Sequence, residues 1–159
     1  SSGEPKELWT GSGHTAGVAS VAYAPDGGLL ATAGGDGALQ LWTLDDAGRP
    51  APGHRFDGQP RADKGGFSPL SAVAFTPDSR FVAATGADAV IRVFDVQTKA
   101  EVRGLRGHAE WATALAFGPG GRLLVSGGAD GKALAFELTP QEGATPVGHM
   151  LKLNAVAVS

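Results

Sequence analysis

Three stretches of this 159-residue chain lie on one another without a gap over 24 positions. They are VAYAPDGGLLATAGGDGALQLWTL from Val21, VAFTPDSRFVAATGADAVIRVFDV from Val73 and LAFGPGGRLLVSGGADGKALAFEL from Leu115. A fourth copy begins with VAVS at Val156 and stops, so successive starts are separated by 52, 42 and 41 residues. Such a period constrains the fold more than any local propensity, because each unit is one supersecondary element that buries its apolar surface only by stacking on its neighbours.

Each copy reads as a short apolar strand ending near Pro25, Pro77 or Pro119, where a ring without an N–H cannot continue a ladder and Asp-Gly or Gly-Gly favours a turn. A second apolar strand ends in GGDG, GADA or GGADG, a hairpin in which glycine supplies positive φ. A third strand follows, ALQLWTL, VIRVFDV or KALAFEL. The segments PKELWTG, APGHRF and KAEVRGLRG between copies are more polar and read as outer strands. Four short strands per unit of about 40 to 45 residues is the propeller signature. The 25 Gly and 10 Pro agree with many turns and few helices.

This pattern resembles the WD-repeat (WD40) β-propeller family, whose repeats run from a Gly-His through a Ser or Thr and an Asp to a Trp-Asp near the end of the third strand. The resemblance covers nearly the whole chain from about residue 5. It implies an all-β fold, a β-propeller segment of four-stranded antiparallel blades that forms an incomplete ring in one chain. Residues 1–4 are expected to be a tag or flexible N-terminus, and 5–159 the propeller segment. Within it, blade one spans about 18–56, blade two about 71–106 and blade three about 112–148, with the start of blade four at 153–159. Residues 5–10 are expected to form one leftover outer strand.

The resemblance further implies a structural network of His, hydroxyl, Asp and Trp in each repeat. His14, Thr32, Asp36 and Trp42 supply all four in the first, and His108, Ser126 and Asp130 supply three in the third, where Phe136 replaces Trp. The second has Gly66, Ala84 and Phe94 at those places and keeps Asp88 and Asp95, so its network is expected to be absent and its blade to rest on apolar packing. Independently of any family, a buried carboxylate such as Asp36 needs hydrogen-bond donors. Imidazole and turn N–H groups can provide them, and an indole N–H can serve the hydroxyl.

Chemistry finds little purchase in the sequence. With no cysteine, disulfides, thiolate metal sites and cysteine nucleophiles are excluded. No serine lies in a Gly-x-Ser-x-Gly elbow, and GGDG lacks the Gly-Lys-Ser or Gly-Lys-Thr ending of a phosphate loop. Of the four histidines, His14, His108 and His149 take the family's structural place, one per blade, and His54 lies elsewhere, so no shared metal site is expected. The inner strands VASVAYA, LSAVAFT and ATALAFG carry no carboxylate that could converge on a ring axis. No cofactor is expected.

The net charge of −3 and the scattered Lys and Arg give no basic footprint for nucleic acid, and no apolar run approaches the roughly 18 residues that cross a bilayer. The start SSGEPKELW shows no charged-then-apolar signal pattern, and its first three residues are read as a scar or processed end. A soluble, cytoplasmic protein is favoured over a secreted or periplasmic one. Function on such a scaffold falls to rim loops. The candidate partner contacts there are Arg61 and Lys64, in a long connection at 57–67, and Glu110 and Trp111 in GHAEWAT.

An open arc exposes apolar faces and strand edges. Closure is therefore expected from the rest of a longer propeller, from a companion polypeptide or from copies in a homo-oligomer. A simple two-copy ring leaves both junction blades incomplete, which favours the fragment or split-chain reading. The function expected is a non-catalytic protein-interaction scaffold. The alternative is a sensing or docking module of a larger multidomain enzyme such as a kinase or redox protein.

Overall fold

The computed structural model describes residues 6–58, 66–138 and 156–158. Twelve strands follow one another: β1 (Val18–Tyr23), β2 (Leu29–Gly34), β3 (Leu39–Leu44), β4 (Pro50–Phe56), β5 (Leu70–Phe75), β6 (Phe81–Gly86), β7 (Ile91–Asp95), β8 (Ala100–Leu105), β9 (Ala112–Phe117), β10 (Leu123–Gly128), β11 (Ala133–Glu137) and β12 (Val156–Val158). They form three four-stranded sheets ordered β1-β2-β3-β4, β5-β6-β7-β8 and β9-β10-β11-β12, every neighbouring pair antiparallel. Each sheet is one blade, and together they make an open ring.

The pairing within a blade sets its two faces. Val21 pairs with Thr32 and Tyr23 with Leu30, which in turn pairs with Trp42; these residues share the leading face of blade one. Ala22, Ala31 and Leu41 pair across the same strands and share the trailing face. That alanine-rich face packs against Val73, Phe75, Val82 and Phe94 on the leading face of blade two, with Phe56 of blade one stacked on Phe94 at 4.3 Å between ring centroids. Ala83, Ile91 and Val93 of blade two meet Leu124, Leu134 and Phe136 of blade three in a second core. Small side chains on one sheet admit large ones from the next, so the blades approach to interior packing density.

Polar clips reinforce the junctions. The Ser20 hydroxyl accepts the Val73 N–H at 3.3 Å, and the Ser71 hydroxyl donates to the Ala112 carbonyl at 2.5 Å. The Asp26 N–H donates to the Ser79 hydroxyl at 3.0 Å across the first two blades. Ser79 holds φ 63° to do this, at the turn position where the first and third repeats have Gly27 and Gly121.

Two expectations at the ends are corrected. Residues 6–10 form no strand. Trp9 within this segment meets Trp42 edge to face, with centroids 5.1 Å apart. Val156–Val158 is not the inner strand of a fourth blade. It pairs with β11 as the outer strand of blade three, Ala133 opposite Val158 and Ala135 opposite Val156. A short strand beside the free N–H and C=O row of β11 gains a ladder there. Residues 139–148, where the outer strand of blade three was expected, lie outside the described residues.

Candidate functional site

Each repeat's polar residues gather where the loop entering the inner strand meets the hairpin between the second and third strands. The same backbone clasp closes this rim in all three blades. The Gly35 N–H donates to the Gly17 carbonyl at 2.8 Å, Ala87 to Pro69 at 2.9 Å and Ala129 to Trp111 at 2.7 Å.

In blade one the four expected residues join in one chain. The Trp42 indole N–H donates to the Thr32 hydroxyl oxygen at 3.0 Å, and Thr32 in turn donates to His14 Nε2 at 2.8 Å. His14 Nδ1–H donates to Asp36 Oδ1 at 3.0 Å. Asp36 also accepts the N–H groups of Thr15 at 3.0 Å and Ala38 at 3.1 Å. This order of donors fixes the imidazole tautomer with its proton on Nδ1. Burial pushes the Asp36 carboxyl upward, but the hydrogen bonds from His14, the two amides and Arg55 outweigh it and hold the group well below the usual carboxylate range.

Blade three repeats the arrangement. Ser126 donates to His108 Nε2 at 2.8 Å, and His108 Nδ1–H donates to Asp130 Oδ2 at 3.0 Å. The Ala109 amide contributes most to holding the Asp130 carboxyl low, and His108 and the Lys132 amide add to it against the opposing effect of burial. Phe136 is fully buried and gives no donor to Ser126.

Two members of this machinery carried no repeat signal. Arg55, on β4, donates through Nη2 to Asp36 Oδ2 at 3.1 Å and through Nη1 to the Gly13 carbonyl at 2.6 Å, so a cation from the outer strand locks the blade-one set. In blade two, Arg92 Nη2 donates to Asp88 Oδ2 at 2.7 Å, and Arg92 Nε lies 3.4 Å from Glu101. The expectation of no polar network there is corrected: an Asp88–Arg92–Glu101 ion triad supplies the N–H that histidine gives elsewhere. Arg92 pairs directly with Ala84, and removal of the hydroxyl and imidazole leaves that face open to a long side chain. The visible signal was an arginine four residues after Asp88, where the other repeats have Gln40 and Leu134.

Hydroxyl, imidazole and carboxylate in series are also the parts of a hydrolase triad. Access to these hydroxyls is narrow. Ser126 is 1% exposed and Thr32 7%. A Cβ added at Gly34 or Gly128 would collide with Nδ1 of His14 or His108, so each ring lies directly against the glycine backbone. In blade one the hydroxyl oxygen is further occupied by the indole N–H. Among the described residues no group of three or more His, Asp or Glu could hold a metal. His14 and His108 sit in separate blades, His54 packs edge-on against Phe56 at 4.5 Å, and His149 lies outside the described residues.

On the outer side of the same rim, Glu110 is exposed and Trp111 is 48% exposed. Phe67, which the sequence did not single out, is 40% exposed one blade earlier. Arg61 and Lys64 lie outside the described residues.

Three radial four-stranded sheets with sealed polar clasps at one rim define an all-β propeller segment. The sequence matches the family model for the WD domain, G-beta repeat, over residues 5–43, 58–95 and 99–135, and the chain belongs to the WD-repeat family. It is 35% identical over 91 residues to small ribosomal subunit protein RACK1 of Schizosaccharomyces pombe, covering 57% of this chain and 25% of that protein. It is 35% identical over 115 residues to transducin beta-like protein 3 of Bos taurus, covering 71% of this chain and 13% of that one. The chain thus spans a quarter or less of these curated relatives. The solved structure of U3-55K superposes with a TM-score of 0.68 at 19% identity, and the RRP9 WD40 repeats with 0.67 at 22%; each match covers 79% of this chain and 37% of the other.

Proposed function

We propose that this chain is a non-catalytic scaffold that binds a protein partner through its rim loops. The observation that carries this reading is the division of labour at the rim: every hydroxyl–imidazole–carboxylate set is sealed beneath it, while Trp111 and Phe67 present aromatic surface above it. Half-exposed aromatics held by a rigid backbone clasp make good anchors, since they bury much area at small entropic cost. Glu110 beside Trp111 supplies a charge for selectivity. With the net charge at −3, a protein partner is favoured over nucleic acid. The arc's two end faces need cover from outside these three blades, whether by further blades, a companion polypeptide or copies.

Peptide ligands selected on the immobilised protein from a displayed library test the reading. Trp111→Ala is expected to weaken the selected ligands at least tenfold at unchanged melting temperature, and Phe67→Ala less. Ligands that bind both variants as well as the parent would refute it, and so would covalent labelling of Ser126 by a fluorophosphonate probe.

A further inference from the structure

Blade two fastens its rim less firmly than its neighbours do. In blade one three direct bonds join the loop entering the inner strand to the hairpin between the second and third strands: the Gly35 N–H donates to the Gly17 carbonyl, and His14 and the Thr15 N–H donate to Asp36. Blade three has the same three, from Ala129 to Trp111 and from His108 and Ala109 to Asp130. In blade two, among the described residues, the Ala87 N–H on the Pro69 carbonyl stands alone. Asp88 spends its carboxylate within the hairpin and its strand, on the Val90 N–H at 3.1 Å and on Arg92 at 2.7 Å. Its side chain is 22% exposed, against 6% for Asp36 and 7% for Asp130. Salt therefore screens this ion pair more than the sealed bonds of the other two blades.

The same blade carries backbone strain. Among the described residues the three non-glycine residues with positive φ are Ser79 at 63°, Ala89 at 64° and Lys99 at 62°, one at each turn of blade two. The turns of blade one hold Gly27, Gly37 and Gly48 there, and the first two of blade three hold Gly121 and Gly131. Ser79 gains the Asp26 N–H through its hydroxyl, and the Lys99 ammonium donates to the Val96 carbonyl at 2.7 Å. Ala89, at the tip of the rim hairpin, has only a methyl group and nothing with which to offset its strain. Below the tip the Thr85 hydroxyl donates to the Val90 carbonyl at 3.0 Å and pins the base.

We infer that the hairpin tip of blade two, Gly86–Ala89, is a salt-sensitive switch that opens on its pinned base and loosens the loop carrying Phe67. Opening lets Ala89 leave the left-handed region and breaks the single bond to Pro69, two residues beyond Phe67. Arg92 keeps Glu101 at 3.4 Å, so losing Asp88 does not strand the cation. Phe67 is then held by its packing over Gly37. Trp111, on a loop tied by three bonds, stays in place, and the rim presents one fixed aromatic beside one adjustable one. Segments of low local stability of this kind are where conformational responses arise. The inference adds regulation to the rim-binding reading and rests on it for the role of Phe67.

The test is amide hydrogen exchange and relaxation-dispersion NMR on the 159-residue chain without ligand, at low salt and at about 1 M sodium chloride, where the screening length is roughly 3 Å. The Ala87 amide is expected to exchange several-fold faster at high salt, and about two- to fivefold more slowly in Ala89→Gly, which relieves the turn. In Asp88→Asn, with the fold checked by circular dichroism, it is expected to exchange faster at low salt and to lose its response to salt. Gly35 and Ala129 are expected to hold their rates. Phe67 and Ser68 are expected to share the Ala87 exchange process, and Trp111 to show none. An Ala87 amide indifferent to salt and to Ala89→Gly would overturn the switch. An opening at Ala87 that Phe67 and Ser68 do not share would overturn its link to the aromatic. These rates are read without ligand, so they stand or fall apart from the rim-binding reading, which fails instead if selected ligands ignore Trp111→Ala and Phe67→Ala.

Discussion

Asp36→Asn measures what the blade-one clasp contributes. The carboxylate accepts from His14, from the Thr15 and Ala38 amides and from Arg55. An amide keeps the shape but loses the charge and turns an NH2 toward one of these donors. Hydrogen bonds to a charged group are worth roughly 1.5–3 kcal/mol, and the side chain is 6% exposed, so solvent offers little compensation. Arg55 retains Asp57 at 2.9 Å, which limits the loss. The expected destabilisation is about 2–3 kcal/mol, a fall in melting temperature of roughly 4–12 °C at this chain length. Asp130→Asn, with no arginine on its carboxylate, is expected to cost less, and Asp88→Asn, which leaves Arg92 its Glu101, least of all. Urea midpoints at constant m would rank the three. The sign with pH is also fixed. The folded carboxyl lies below its unfolded value of 3.8, so its stabilisation is complete above about pH 4 and is lost as pH falls through the folded pKa. The gap between the parent and Asp36→Asn should therefore narrow below about pH 4. Equal midpoints for all three variants, or a gap that widens in acid, would refute this account of the clasp.

Other outcomes follow from single positions. Ala89 holds φ 64° at the hairpin position where the other blades have Gly37 and Gly131, so Ala89→Gly should raise stability by about 0.5–1 kcal/mol in denaturant melts. Gly37→Ala should do the reverse and cost more than about 2 kcal/mol, since φ is +82° and the new methyl would meet the Phe67 side chain and the Ser68 carbonyl. Phe136→Ala, at a fully buried ring between blades two and three, should cost about 3–5 kcal/mol. Ser126→Ala should lower stability by roughly 1–2 kcal/mol through the unpaired His108 Nε2 and leave rim-ligand affinity unchanged in calorimetric titration.

Much of this was legible because the repeat is gapless. The alternation of Val21 and Tyr23 against Ala22, the prolines ending the inner strands and the glycine hairpins fix strand, turn and face in each copy, and His14, Thr32, Asp36 and Trp42 fall into register once the period is seen. What stayed hidden depends on partners that sequence spacing does not name. Arg55 reaches Asp36 from a strand 19 residues away, and an arginine on an outer strand reads as a solvated charge until its neighbour is placed. Arg92 took over a role through the absence of a histidine, which no motif records. The ends misled for a related reason: PKELW and VAVS match strands of the repeat, but a strand's place is decided by which edge is free beside it. Phe67 escaped notice because its repeat departs from the pattern there, and its exposure follows from the loop's path past Gly37.

In the proposed function, hydroxyl, imidazole and carboxylate fasten a blade and perform no reaction. Nitrogen-15 spectra of the imidazoles test it most directly. The structure predicts for His14 and His108 a proton on Nδ1, a bare Nε2 accepting from Thr32 or Ser126, and exchange with solvent slow enough to observe that proton near neutral pH. Rings with the proton on Nε2, or with protons averaged by rapid exchange with water, would mean an open and reactive set, and would contradict the claim.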